Sequence, residues 1–142
     1  MKSRVELDID LPQQETAALF GDPANNPKWM DDIARIEPVS GEPGAQGSIY
    51  RMVPKQGPTF LATVILKRPD GLMLSLWSPG ISVAINDRLV KLSERQTRLI
   101  SEETFTFDGL FNRISGFLAQ KAIKAAHRRH MKSFKRFAEG RR

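Results

Sequence analysis

The chain contains two histidines, His127 and His130, separated by three positions. On a helix this spacing places both side chains on one face. A metal bound by such a pair needs further ligands, and no acid lies within a helical turn of either histidine in the sequence. We therefore expect no metal. The alternatives are a neutral histidine with its tip in a polar part of a cavity, and a histidine packed in the core or at its rim.

Glu102 and Glu103 are adjacent in a predicted strand, so they point to opposite faces and cannot form a carboxylate pair. Glu103 shares its parity with Leu99 and Phe105 and is expected to point inward. A buried acid without a partner is costly. Glu103 is therefore a candidate acid or base in a cleft, unless this assignment of faces is wrong.

Asn86 and Arg88 share one face of another predicted strand and are candidates for orienting a polar ligand group, because arginine suits a carboxylate. The alternative is a β-bulge at Asp87 and Arg88 with both polar tips in solvent. Trp29, Tyr50 and Trp77 combine a large apolar surface with one polar atom each. They are expected either to pack in the core or to line a pocket.

A glycine-rich segment, Gly41, Gly44 and Gly47, has the composition of a phosphate-binding loop. It precedes a predicted strand, so the helix N-terminus that would hold the phosphate is missing. The serine-hydrolase, zinc-protease and P-loop motifs are also absent from the sequence. We expect no cofactor.

Composition limits the class of protein further. The 142 residues suit a single domain, residues 1–142, and the absence of cysteine excludes disulfides and thiol chemistry. The first residues lack an apolar signal core, so a cytoplasmic location is expected. The net charge is +6, but residues 121–142 alone sum to +8. A basic tail on a weakly acidic body argues against general binding of nucleic acid.

Apolar and polar residues alternate from Val5 to Leu11, which predicts a half-buried antiparallel strand. Pro12 and Asp22-Pro23 mark the starts of two short helices, the second ending near Trp29. Six further strands follow, separated by proline and glycine turns. Their predicted ranges are 33–39, 48–53, 60–67, 72–77, 81–92 and 97–107.

A long helix is predicted from Leu110 to about Ala138. After position 121 it is amphipathic, with an inward apolar face and an outward basic face consisting of Lys121, Lys124, Arg128, Lys132 and Lys135. The earlier apolar stripe lies on the opposite side, at Leu110, Phe111, Ile114, Phe117 and Leu118. Either the chain bends near Ser115-Gly116, or Phe111, Ile114, Phe117 and Leu118 face something other than the sheet. In both cases we expect these side chains to be covered by the 48–58 region, by a partner subunit in a homodimer, or by a ligand.

The order of these elements resembles the START-like, polyketide cyclase/dehydrase (SRPBCC) superfamily over essentially the whole chain. The likeness lies in the Pro-initiated helix after the first strand and in the Asp22-Pro-Ala-Asn-Asn-Pro-Lys-Trp29 segment. It continues in the stretch from Ile33 to Gly47 and in a 97–100 strand paired with a final helix ending in Phe-Lys-Arg-Phe-Ala-Glu139.

This resemblance implies an α+β helix-grip fold, in which a curved antiparallel sheet of about seven strands surrounds the C-terminal helix. It also implies an enclosed, mainly apolar cavity, which we expect to measure roughly 300 Å³ or more. The first functional hypothesis is binding or carriage of a small hydrophobic molecule. The ligand-binding candidates are Trp29, Tyr50, Trp77, Asn86, Arg88, Phe117, His127 and Met131.

Two alternatives stay open. One is an enzyme of the cyclase or dehydratase type that uses Glu103 or His127 as its acid or base. The other is an interaction protein whose basic helix face contacts an anionic membrane or RNA.

Overall fold

The structure is a computed structural model that describes residues 1–109 and 116–140. Seven strands form one antiparallel sheet in the order β1-β7-β6-β5-β4-β3-β2. The first strand therefore pairs with the last, and every other neighbouring pair is consecutive in the chain. The strands are β1 (Lys2–Ile9), β2 (Ile33–Ser40), β3 (Ile49–Pro54), β4 (Phe60–Arg68), β5 (Gly71–Ser78), β6 (Ile81–Ser93) and β7 (Gln96–Phe107).

Short helical elements connect β1 to β2 where the sequence predicts them. Helix α1 (Gln13–Phe20) follows Pro12, and a 3₁₀ turn (Pro23–Asn25) leads into α2 (Asn26–Trp29). The Asp22 carboxylate accepts a 3.0 Å hydrogen bond from the Ala24 amide, which caps the 3₁₀ turn.

The C-terminal helix α3 (Phe117–Glu139) begins directly after Gly116, whose backbone is extended. A start at this glycine agrees with the predicted interruption of the helix near Ser115-Gly116, although Ser115 and the rest of 110–115 lie outside the described residues. Phe111 and Ile114 of the early apolar stripe lie there as well. Among the described residues, no helix has the length and apolarity needed to cross a membrane.

Helix α3 is fixed to the fold by an aromatic cluster at its C-terminal half. The Phe134 side chain is fully buried, and its ring lies edge-on to Phe20 at 4.7 Å and to Trp29 at 5.3 Å between ring centroids. Phe20 and Trp29 stack on each other at 5.6 Å. Because these two residues end α1 and α2, one phenylalanine ties both short helices to α3. The inward face of α3 that the sequence predicts is confirmed, with His127, Met131, Phe134 and Ala138 buried.

The outward face of α3 is basic, as predicted, for four of its five residues: Lys121, Lys124, Arg128 and Lys132 are exposed. Lys135 departs from this expectation because its ammonium donates to the Asp8 backbone carbonyl and pairs with Glu139. It packs α3 against the end of β1, and its side chain is partly covered.

Strand β2 forms one edge of the sheet and is irregular. Its pairing with β3 shifts register between Ile33 and Arg35 and again between Pro38 and Ser40. The outer part of the strand is exposed, and the Arg35 guanidinium pairs there with the Glu37 carboxylate at 2.8 Å. This edge is therefore bent and charged where a regular strand would be flat.

Replacing Phe134 with alanine should strongly destabilise the protein, because it removes the ring that joins α1, α2 and α3. We expect the free energy of unfolding to fall by about 3–5 kcal/mol. Urea denaturation followed by circular dichroism measures this difference. Phe117→Ala is the matched control, since Phe117 is 79% exposed, and it should change stability by no more than about 0.5 kcal/mol. Similar losses in both variants would contradict the assignment of Phe134 as the anchor.

Candidate functional site

A cavity of about 340 Å³ lies between the concave face of the sheet and the N-terminal half of α3. Most of its wall is apolar and comes from the inward positions of β3 to β7, with Ile123, Ala126 and Met131 on the α3 side. Its volume agrees with the predicted value. It is not enclosed, however, because the exposed residues Asp32, Gln56 and Pro58 also line it and mark a mouth between the start of β2 and the β3–β4 turn.

One part of the cavity wall is polar and centres on His127. The His127 ring is buried, and its Nδ1 lies 2.8 Å from the Ser3 hydroxyl while its Nε2 lies 2.9 Å from the Ser101 hydroxyl. Both ring nitrogens thus have a hydrogen-bond partner. Because a neutral imidazole has one donor and one acceptor nitrogen, a hydroxyl on each side satisfies it fully.

Two carboxyl groups complete this polar cluster, which we define as Ser3, Asp87, Ser101, Glu103 and His127. Glu103 Oε2 lies 3.6 Å from His127 Nε2, and Asp87 is hydrogen-bonded to Ser101. The register explains the grouping, because Asp87 pairs with Ser101 across β6 and β7, and Ser3 pairs with Glu103 across β1 and β7. All four strand residues therefore lie on the concave face, opposite the histidine of α3.

Burial determines the protonation of the cluster. It lowers the pKa of His127 to about 4, with the nearby His130 acting in the same direction, so the imidazole is neutral at pH 7. Burial raises the pKa of Glu103 to about 7. It also raises the pKa of Asp87 to about 8, where the Ser101 hydrogen bond opposes the shift and the Glu103 charge adds to it. The contact between His127 and Glu103 is consequently not an ion pair at neutral pH.

Two buried polar atoms at the cavity have no hydrogen-bond partner among the described residues. One is Asp87 Oδ1 and the other is the indole nitrogen of Trp29. A third polar group, the Tyr50 hydroxyl, is hydrogen-bonded to Asn26, and burial raises its pKa to about 12. Buried polar groups are normally paired, so the two unpaired atoms offer an acceptor and a donor to a molecule inside the cavity.

The structure places five of the candidate residues in the cavity wall: Trp29, Tyr50, Glu103, His127 and Met131. Their position agrees with the sequence analysis, and their roles in binding or catalysis stay predictions. Glu103 in particular points inward, as its parity with Leu99 and Phe105 indicates.

Four other candidates lie outside the cavity, which corrects the expectation that they face it. Asn86 and Arg88 are exposed because Val83, Ile85, Asp87 and Leu89 occupy the concave positions of β6. Trp77 is 54% exposed for the same reason, since Leu72, Leu74 and Leu76 take the concave positions of β5. Phe117 lies in the first turn of α3 and is 79% exposed.

Sequence reasoning missed Asp87, Ser101 and Ser3. For Asp87 a signal was available, because it occurs at the same parity as Ile85 and Leu89 and therefore belongs to the concave face. The alternative of a β-bulge at Asp87 and Arg88 is wrong, since the β6–β7 pairing is regular from Ile81 to Lys91. The solvent exposure of Asn86 and Arg88 that accompanied this alternative is confirmed.

Acids do lie near His130 in space, contrary to the sequence argument. Ligand atoms of Asp31, Asp32 and His130 all lie within 4.8 Å of one another at the cavity mouth. Each acid already has a protein partner: Asp32 accepts from His130 at 2.9 Å, and Asp31 pairs with Arg129 at 3.7 Å. Both acids are exposed, and the arrangement is explained by these two contacts.

Solved structures resemble the chain over almost its whole length. TTHA0849 from Thermus thermophilus aligns with a TM-score of 0.81 at 14% identity and covers 97% of both chains. The Zhui aromatase/cyclase from Streptomyces sp. R1128 aligns with a TM-score of 0.77 at 13% identity, covering 99% of this chain and 92% of that chain. Ara h 8.0201 aligns with a TM-score of 0.74 at 13% identity and covers 97% of both chains.

No protein-family model matches the sequence, and no curated protein matches it. The structural likenesses, together with the seven-stranded sheet and α3, confirm the helix-grip fold that the resemblance to the START-like superfamily implies. At these identities they show the fold and transfer no activity to this chain.

The raised pKa of Asp87 predicts a specific pH dependence of stability. The unfolded chain releases this proton near pH 3.8, whereas the folded protein holds it to about pH 8, so this residue makes folding less favourable as pH rises between these values. Asp87→Asn removes the effect. We expect the stability of the variant relative to wild type to increase by about 2 kcal/mol or more from pH 5 to pH 8, measured by urea denaturation.

The lowered pKa of His127 makes folding more favourable as pH rises to about 6.5. This contribution cancels in the comparison because wild type and variant both contain His127. Asp70→Asn, in the exposed turn between β4 and β5, is the matched control. Its difference from wild type should stay constant to within about 0.5 kcal/mol. A constant difference for Asp87→Asn would show that Asp87 is ionised in the folded protein throughout this range.

Proposed function

We propose that the protein binds and carries a small, largely apolar molecule in the cavity between the sheet and α3. The observation that carries this proposal is the 340 Å³ of space bordered mainly by apolar side chains, with a fully formed polar cluster on one wall. Protein interiors are normally packed with few voids larger than a water molecule. An apolar ligand in this space would replace water and regain the packing contacts that the open wall lacks.

The arrangement of the wall supports binding of a molecule with a mixed surface. The apolar part would contact residues such as Leu74, Val83 and Met131, and a polar group would reach the cluster around His127. Pockets with a mostly apolar lining and a few convergent polar groups are typical of sites for small organic molecules. Because the mouth lies beside exposed residues at the β3–β4 turn, entry requires no separation of α3 from its aromatic anchor.

A second function, acid–base catalysis of the cyclase or dehydratase type, is favoured by one observation. Glu103 combines a position on the cavity wall, contact with His127 at 3.6 Å, and a pKa of about 7. A carboxyl group that titrates near neutral pH can remove a proton and return it. The solved structure of similar fold that is named an aromatase/cyclase adds support for this alternative.

Filling the cavity should weaken ligand binding without disturbing the fold. Leu74 lines the cavity, whereas its neighbour Met73 points outward and is 37% exposed. We expect wild type to bind Nile red, a neutral apolar fluorophore, saturably, and Leu74→Trp to weaken binding by about tenfold or more. Met73→Trp is the matched control and should bind as wild type does. Absence of saturable binding by wild type, or equal binding by both variants, would contradict the proposal.

Acid–base catalysis is tested with a hydrophobic ketone, β-tetralone, whose α-protons exchange in D₂O. Glu103 would take an α-proton to form the enolate, which then accepts a deuteron from solvent at the same carbon. We expect proton NMR to show faster exchange with wild type, and Glu103→Gln to lower the enzymatic rate by about 100-fold. Glu102→Gln, on the opposite face of β7, should not change it. If wild type does not accelerate exchange, this second function is excluded for ketones of that size.

A further inference from the structure

The cavity wall contains acidic side chains. Among the described residues that line it, the acids are Asp32, Asp87 and Glu103, and there is no lysine or arginine. Arg88, the residue expected to meet a carboxylate ligand, is exposed on the convex face. The cavity is thus acidic, although the chain as a whole carries a charge of +6. Among the described residues of the wall, a ligand carboxylate or phosphate would therefore find no lysine or arginine to pair with it.

The atoms of the polar cluster that can bind a ligand are carboxyl oxygens. His127 offers nothing to a ligand, because Ser3 and Ser101 occupy both of its ring nitrogens at 2.8 and 2.9 Å. Asp87 Oδ1 is buried without a hydrogen-bond partner among the described residues. Glu103 Oε2 lies 3.6 Å from His127 Nε2, beyond hydrogen-bond distance. The carboxyl oxygens of Asp87 and Glu103 are therefore the atoms that a ligand group would meet.

We propose that the carried molecule is an amphiphilic amine, whose protonated nitrogen binds between the carboxyl groups of Glu103 and Asp87 while its apolar body fills the cavity. This inference rests on the proposed carrier function and specifies its ligand class. A protonated amine donates hydrogen bonds to the carboxyl oxygens, and its positive charge compensates the negative charge that Glu103 and Asp87 acquire when they release their protons. Hydrogen bonds between charged partners are shorter and stronger than neutral ones, and their strength increases where water is excluded.

The pKa values of Glu103 and of the groups that face it predict how amine binding depends on pH. Asp87 on β6 and His127 on α3 face Glu103, and His130 and Asp32 lie further out, at the mouth of the cavity. Burial raises the pKa of Glu103 to about 7 and that of Asp87 to about 8. Amine binding should therefore release protons and become tighter from pH 6 to pH 8, whereas binding of a neutral alcohol should not change with Glu103 ionisation.

Three ligands with the same apolar body test the proposal: 4-phenylbutylamine, 4-phenylbutanol and 4-phenylbutanoate, each used to displace Nile red at pH 7.5. We expect the amine to bind about tenfold more tightly than the alcohol, as one charged hydrogen bond would give, and the carboxylate to bind more weakly than the alcohol. Glu103→Gln should remove the preference for the amine and keep alcohol binding. Asp87→Asn should reduce the preference.

Glu102→Gln is the matched control, because Glu102 lies on the outer face of β7 and pairs with Lys2 at 3.5 Å and Arg4 at 3.4 Å. It should keep the full preference for the amine. If either cavity variant fails to fold, the relative affinities of wild type for the three ligands and the pH dependence of its amine binding still test the proposal. If the protein binds the alcohol, and binds the carboxylate as tightly as the alcohol or more tightly, the amine proposal is overturned and the carrier function stands. Failure of all three ligands and of Nile red would instead overturn the carrier function.

Discussion

The edge-on packing of Phe134 against Phe20 and Trp29 is the contact on which the rest of the structure depends. It holds the C-terminal half of α3 close to the two short helices and to the adjacent end of the sheet. His127 is seven residues earlier, roughly 10 Å along the helix axis. At that distance from the anchor His127 still contacts β1 and β7, while the cavity occupies the space between this part of the helix and the neighbouring strands.

The polar cluster depends on this placement of α3. Strands β1, β6 and β7 bring Ser3, Asp87, Ser101 and Glu103 to one area of the concave face, but only the helix supplies the imidazole that two of them bind. Five buried polar residues in a mainly apolar interior require mutual hydrogen bonds or protonation to avoid buried charge. The histidine is neutral and satisfied by serines, whereas both carboxyl groups have raised pKa values and Asp87 Oδ1 has no hydrogen-bond partner among the described residues. The unused hydrogen-bonding capacity of the cluster therefore lies on its carboxyl groups.

Much of the fold was predictable, because the physical signals are local. Alternation of apolar residues located the strands to within a few positions, and proline, glycine and aspartate marked the turns and helix starts. The inward face of α3 followed from its 3.6-residue period. The alternation of side chains along β7 also predicted correctly that Glu103 points inward. The cavity itself was predicted from a family resemblance, since a void leaves no pattern in a sequence.

The candidate site was less predictable, for two physical reasons. In β5 apolar residues occur at both inward and outward positions, so the sequence pattern does not show which face Trp77 occupies. Its large side chain suggested a place in the cavity wall, but it lies outside the cavity. In β6 the polar run Asn86-Asp87-Arg88 suggested solvent exposure, although Asp87 shares the parity of Ile85 and Leu89. The partners of His127 lie 124 and 26 residues away in the chain, and only tertiary structure brings them together.

The irregular edge strand β2 has a consequence for how the protein behaves at high concentration. A sheet that curves around a cavity without closing into a barrel keeps two edges, and a regular exposed edge can pair with the edge of another molecule. Two register shifts, the Arg35–Glu37 ion pair and Pro38, which has no amide hydrogen to donate, make β2 a poor template for such pairing. The sheet can therefore stay open around the cavity without presenting β2 as an edge that readily pairs with another molecule.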